Sequence, residues 1–233
     1  MVTPVLILAS TSPRRRQILT LGGWPFSVQP ADIDEQPLPG ETPRDYVLRL
    51  AEAKALTAAR RAPASSPEWA VIASDTTVVD GETILGKPAG DADAIRMLTA
   101  LRGRVHQVLT GVAVLRRSDG LLLKEVCLTD VRMRPYTDAE IRDYVASGDP
   151  LDKAGAYAIQ HPAFHPVESL QGCYPSVMGL PLCRVTHLLA ELGIPPASNV
   201  TRSCLPGPGS AFPENPAAPC LVFRLVTEER PQA

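Results

Sequence analysis

Five apolar residues, Val5-Leu6-Ile7-Leu8-Ala9, lead without a gap into Ser10-Thr11-Ser12-Pro13. A continuous apolar run of this length suits a strand covered on both faces. Ser12 then offers an N-cap, and Pro13 occupies the first helical position, where no backbone N–H is needed. A buried strand feeding directly into a capped helix is a β-α unit, and the expected class is α/β. Gly22-Gly23 ends the helix, and a loop carrying Asp32, Asp34 and Glu35 follows. Thr42-Pro43 opens a second helix by the same device, running to about Arg60. Ala70-Val71-Ile72-Ala73 reads as a second apolar strand, and Asp80-Gly81 as a two-residue hairpin turn between Thr77–Val79 and Thr83–Leu85. A helix is expected from about Asp91 to Gly103. Two long antiparallel strands, Val105–Leu115 and Leu121–Met133, turn around Ser118-Asp119-Gly120. Thr137 and Glu140 have capping-box spacing for a helix that stops at Gly148. A loop-rich stretch precedes a last amphipathic helix, Pro181–Leu192, with Leu182, Val185, Leu188, Leu189 and Leu192 at helical spacing before Gly193.

The 233 residues suffice for one large or two small domains, and a 45% hydrophobic content can fill a core. A net charge of −2 excludes the global basicity of many nucleic-acid binders, so nucleic acid is not an expected partner. Five cysteines without a C-x-x-C pair fit a reducing compartment and offer no thiolate zinc site. The opening apolar run is too short for a signal-peptide core or a membrane span, and its arginines follow rather than precede it. A soluble, cytoplasmic protein is expected. From Pro195 to Pro219 proline, glycine, serine and alanine dominate. Residues 1–195 are therefore expected to form the functional domain and 196–233 a flexible tail, with Leu221–Val226 apolar enough for a short docked strand.

Several polar clusters interrupt this framework. Arg14-Arg15-Arg16 crowd the first turn of a helix, where cations oppose the helix dipole. A bound phosphate would resolve that conflict, although a solvated basic turn would have the same sequence. Lys54 continues the apolar stripe of Val47, Leu50 and Ala51 on the second helix, so it either snorkels to the rim or meets an anion in a cleft. Ser74-Asp75-Thr76-Thr77 sets a carboxylate among hydroxyls directly after an apolar strand, which suits a general base, a metal ligand or a turn cap. Lys87 sits in the tight Gly86-Lys87-Pro88 loop. Asp149 to Gln160 packs carboxylates, Lys153 and an amide able to read a nucleobase edge into a dozen positions, or forms a polar loop. Taken together, these groups supply cations for a polyphosphate, carboxylates for a hard metal or for water activation, and an amide for a base. His161 and His165 have i,i+4 spacing, but Pro162 and Pro166 argue against a helix, and both are read as loop histidines.

In this order the segments resemble the Maf family of nucleotide pyrophosphatases. The likeness runs from Leu6–Ser10 and Ser12-Pro13-Arg14-Arg15 through Ala53-Lys54-Ala55, Ser74-Asp75-Thr76 and Leu85-Gly86-Lys87-Pro88. It continues through His106–Val112 and Asp152-Lys153-Ala154-Gly155-Ala156-Tyr157 to Gly179-Leu180-Pro181, covering about residues 3–194. The resemblance implies a mixed α/β fold in two lobes around a deep cleft, paired as a homodimer, and a Mg²⁺ or Mn²⁺ cofactor. It implies Asp75 as proton acceptor, Arg14, Thr76 and Gln160 as substrate-selecting positions, and Arg15, Lys54 and Lys87 as cations around the triphosphate. It also implies Glu35, with Asp75, at the metal. The stretch from Asp152 to Gln160 is similar to the branch acting on dTTP and UTP, with the 7-methyl-GTP branch ranked second. Asp149 stands where a glutamate is common in the family, and His161 where a glycine is common. Rival readings are a non-catalytic nucleotide or nucleic-acid binder acting in cell division and a phosphomonoesterase releasing orthophosphate. A P-loop NTPase is disfavoured because the sequence lacks G-x-x-x-x-G-K-[ST].

Overall fold

The structure is a computed structural model that describes residues 4–62, 68–197 and, as backbone, 222–225. The flexibility expected for 196–233 concerns residues that lie almost wholly outside that set. The strands are β1 (Val5–Leu8), β2 (Phe26–Val28), β3 (Trp69–Asp80), β4 (Thr83–Leu85), β5 (Val105–Arg116), β6 (Leu122–Met133), β7 (Val167–Gln171) and β8 (Val222–Leu225). They form one mixed sheet in the order β2-β1-β3-β5-β6-β7, with β4 paired to β3 and β8 to β6. β1 lies parallel to both neighbours, and the remaining pairings are antiparallel.

The helices are α1 (Pro13–Thr20), α2 (Pro43–Ala59), α3 (Asp91–Leu101), α4 (Asp138–Ala146), α5 (Tyr174–Val177) and α6 (Leu182–Glu191). Ser12, Thr42 and Thr137 cap α1, α2 and α4 through their hydroxyls, and Thr137 with Glu140 completes the capping box. Among the described residues, no helix is long and apolar enough to cross a membrane.

Alternation along the strands sorts the core onto two faces. Ile7, Val71, Ala73 and Ala113 face α2, with Ala51, Ala55 and Ala58 packed against them. Leu6, Leu8, Ile72 and Val112 face the other way, beneath α1 and α6. Farther along that second face, Val78, Val108 and Val131 pack under α3 and α4. Met178 borders both of these groups. Each fully buried Leu or Ile contributes about 1.5–3 kcal/mol, so α2 on one face and two helix groups on the other hold the sheet rigid.

Three sequence expectations are corrected. Asp75 does not follow a strand; it lies in the middle of β3, which runs unbroken from Trp69 to Asp80. Ser74, Asp75 and Thr76 look like a break because they are polar, but their backbones pair with Val112, Gly111 and Thr110 of β5. The loop before α2 contains β2, and the loop-rich stretch before α6 contains β7 at the sheet edge. The docked strand expected at Leu221–Val226 is β8, antiparallel to residues 124–127 of β6.

Candidate active site

The site begins where β1 stops. Pairing between β1 and β3 ends at Leu8 and Ile72, and β4 pairs with β3 only from Val78 onward. Residues 73–77 of β3 therefore have no strand beside them on that edge among the described residues. The chain from Ser10 into α1 crosses this notch. A pocket of about 390 Å³ opens there. Arg14, Arg15, Glu35, Lys54, Asp75, Thr76, Lys87 and Gln160, the residues anticipated from sequence, all line it.

Asp75 and Thr76 point to opposite faces of β3, as successive strand residues must. On the α2 face, Lys54 Nζ lies 2.6 Å from Asp75 Oδ1 and 2.6 Å from Glu35 Oε1. Lys54 is 7% exposed, so neither solvent nor snorkelling satisfies it; two carboxylates do. The close approach of α2 depends on Gly111, the cross-strand partner of Asp75. A Cβ at Gly111 would stand 2.4 Å from the Val47 carbonyl oxygen. Burial works against the Glu35 charge, but the hydrogen bond and charge of Lys54, aided by Lys87 and Arg15, hold its carboxyl below the ordinary range. The Tyr46 hydroxyl donates to the Glu35 backbone oxygen at 2.8 Å. Burial, reinforced by Asp75 and Glu35, pushes that hydroxyl up to about 12, so it remains a donor.

On the opposite face, Arg15 ties α1 to the turn after α5. Its Nε donates to the Gly179 oxygen at 2.9 Å, Nη1 to Ser10 Oγ at 3.4 Å and Nη2 to Thr76 Oγ1 at 3.5 Å. Burial lowers its affinity for the proton, and Asp75 pulls the other way. Ser74 Oγ also donates to the Gly179 oxygen, at 2.9 Å. Thr76 Oγ1 lies 3.0 Å from Thr110 Oγ1, its cross-strand partner.

The segment from Asp149 to Gln160 closes the pocket. Lys153 spends its charge on that segment, donating to the Asp149 backbone and carboxylate and to Asp152. Gly155, at φ +68, donates to the Gly86 oxygen at 3.1 Å, which couples this segment to the Lys87 loop. Its missing Cβ would stand 2.9 Å from Val78 Cγ1. Tyr157 is anchored through its hydroxyl, 2.8 Å from His106 Nε2. Asp149 and His161, the two departures from the family pattern, meet at Tyr144. The Tyr144 hydroxyl donates to Asp149 Oδ2 at 2.7 Å, and its ring packs edge-on to His161. Neither lines the pocket.

The sequence did not single out Thr110, Gly111 and Gly179, which adjoin Thr76, Asp75 and Arg15, although all three lie in segments that carry the resemblance. His106 was also unassigned. It is 2% exposed, and burial pulls its pKa down to about 4. The unfolded imidazole takes its proton near pH 6.5, so between about pH 6.5 and 4 the unfolded chain holds more protons. Stability is therefore expected to fall as pH drops through that window, by on the order of 3 kcal/mol once it is crossed. Thermal melts from pH 7 to pH 4 check this: His106→Phe should flatten the pH dependence, and an unchanged slope would contradict it.

The family model described as Maf-like protein matches residues 5–192. A dTTP/UTP pyrophosphatase of Geobacter sulfurreducens is 49% identical over 189 residues, 81% of this chain and 96% of its own length. A dTTP/UTP pyrophosphatase of Anaeromyxobacter dehalogenans is 48% identical over 196 residues, 83% of this chain and 97% of its own. One from Dehalococcoides mccartyi is 42% identical over 193 residues, 83% of this chain and 84% of its own.

Proposed function

The chain belongs to the Maf-like protein family, and we propose that it hydrolyses dTTP and UTP to the nucleoside monophosphate and pyrophosphate. The observation that carries this reading is the convergence of Asp75 and Glu35 on Lys54, with Arg14, Arg15, Lys87 and Gln160 lining the same pocket.

In the proposed reaction, water attacks the α-phosphorus while Asp75 accepts a proton from it. The bond from the α-phosphorus to the bridging oxygen breaks, and pyrophosphate leaves. Lys54 holds Asp75 in position before substrate arrives. Arg14, Arg15 and Lys87 neutralise the phosphate oxygens, and Gln160 reads the base. Two carboxylates that face one cationic centre are a hard oxygen donor set, and Mg²⁺ is commonly held by one or two carboxylates plus substrate phosphates. Asp75 and Glu35 would hold Mg²⁺ or Mn²⁺, which when bound supplies further charge neutralisation at the phosphates. The domain reading belongs to the same proposal: residues 1–195 carry the activity, in two lobes about the pocket, within a cytoplasmic homodimer.

Product analysis with dTTP, UTP, CTP, 5-methyl-UTP and 7-methyl-GTP tests the function. Pyrophosphate and monophosphate are expected from dTTP and UTP. Preference for 7-methyl-GTP would overturn the assignment of Gln160, and orthophosphate as first product would overturn the reaction.

A further inference from the structure

Thr110 is wholly buried and does not line the pocket, but its hydroxyl is bonded to that of Thr76, which does. Thr110 Oγ1 donates to the Ser176 carbonyl oxygen at 2.8 Å. A carbonyl can only accept, so the one Thr110 hydroxyl hydrogen is committed there. At 3.0 Å from Thr76 Oγ1, the Thr110 oxygen must then accept the Thr76 hydrogen. Arg15 Nη2 also contacts Thr76 Oγ1, at 3.5 Å, and it can only donate. The result is a one-way chain from Arg15 through Thr76 and Thr110 to Ser176, in which each bond polarises the next. Its consequence is that Thr76, half-buried at the pocket wall, has one remaining lone pair and no hydrogen to offer.

We infer that Thr110 is a positioning residue for base selection: by holding the Thr76 hydrogen, it makes Thr76 an obligate acceptor that selects a pyrimidine with a donor at N3. Uracil and thymine carry N3–H. Cytosine presents a lone pair at N3, which would face the Thr76 lone pair. Thr76 shares its strand face with Val78, and both line the pocket with Gln160, whereas Asp75 faces α2. A base on the Thr76 face, with phosphates passing the notch toward Asp75, therefore uses both sides of β3. This inference rests on the uracil/thymine nucleotide reading above.

The test is the ratio of kcat/KM for UTP to that for CTP in the wild type and in Thr110→Val, Thr110→Cys and Thr110→Ser. Valine keeps the shape and frees the Thr76 hydrogen to rotate toward cytosine N3. The ratio is expected to shrink by about tenfold, the scale of one hydrogen bond. The change should come from a rise in CTP turnover, which general damage to the fold would not produce. Thr110→Ser, which retains the hydroxyl, should restore the wild-type ratio. Thr110→Cys, a weak acceptor of similar size, should shrink the ratio in the same direction and decides the question if the valine variant does not fold. An unchanged ratio in the valine and cysteine variants, or a fall arising from lost UTP turnover alone, would overturn the role of Thr110 and leave the nucleotide reading standing. A wild type without preference for UTP over CTP would overturn that reading and this inference with it.

Discussion

Asp75→Asn is expected to lower turnover of dTTP by about 10²–10⁴-fold, the usual cost of losing a general base, while the protein stays folded. The amide retains an oxygen that can accept from Lys54 Nζ, now 2.6 Å from the carboxylate, and it fits the same space beside Gly111. Lys54 also keeps its ion pair with Glu35. What the amide cannot do is take a proton from water. The expected pattern is a large fall in kcat, a small change in KM and a melting temperature near that of the wild type. Activity close to wild type would remove Asp75 from the role of proton acceptor.

Lys54→Met should be damaging in a different way. It removes the cation shared by two carboxylates and leaves Asp75, 6% exposed, without its ion-pair partner. Breaking a buried pair from one side costs about 3–5 kcal/mol. Glu35 is half-exposed and can turn to solvent, so the loss should lie toward the lower end. For a domain of this size that corresponds to a fall in melting temperature of roughly 6–12 °C. Turnover should fall by about 10²–10³-fold, as when a preorganised charge is lost from an active site. The double variant Lys54→Met with Asp75→Asn should recover part of the stability, because no lone buried carboxylate remains, and none of the activity. A double variant no more stable than Lys54→Met alone would show that the pair is not the source of the loss.

The contrast between these variants also explains what could be read from sequence. Lys54 was visible because it breaks an otherwise apolar stripe on α2. The sequence placed it on the inward face but could not say that its anion would be the protein's own Asp75 and Glu35. Asp75 stands out in sequence as a carboxylate among hydroxyls, but a polar triplet inside β3 has the same local pattern as a strand end, so the sequence alone puts it after the strand. Only the pairing with β5 keeps it extended. The helix starts at Ser12, Thr42 and Thr137 were legible because capping is chemistry between near neighbours. β2 and β7 were not, because their short segments are partly exposed and owe their form to partners far along the chain. Thr110 escaped for the same reason: its importance lies in bonds to Thr76 and Ser176, 34 and 66 residues away.

The proposed reaction is defined by which bond breaks and which phosphorus is attacked. Hydrolysis of dTTP by the wild-type protein in H₂¹⁸O, with Mg²⁺ or Mn²⁺ present and products read by mass spectrometry, addresses both at once. One ¹⁸O in the dTMP and none in the pyrophosphate is the expected result, because in the proposed reaction water attacks the α-phosphorus. Label in the pyrophosphate, or formation of dTDP and orthophosphate, would contradict it.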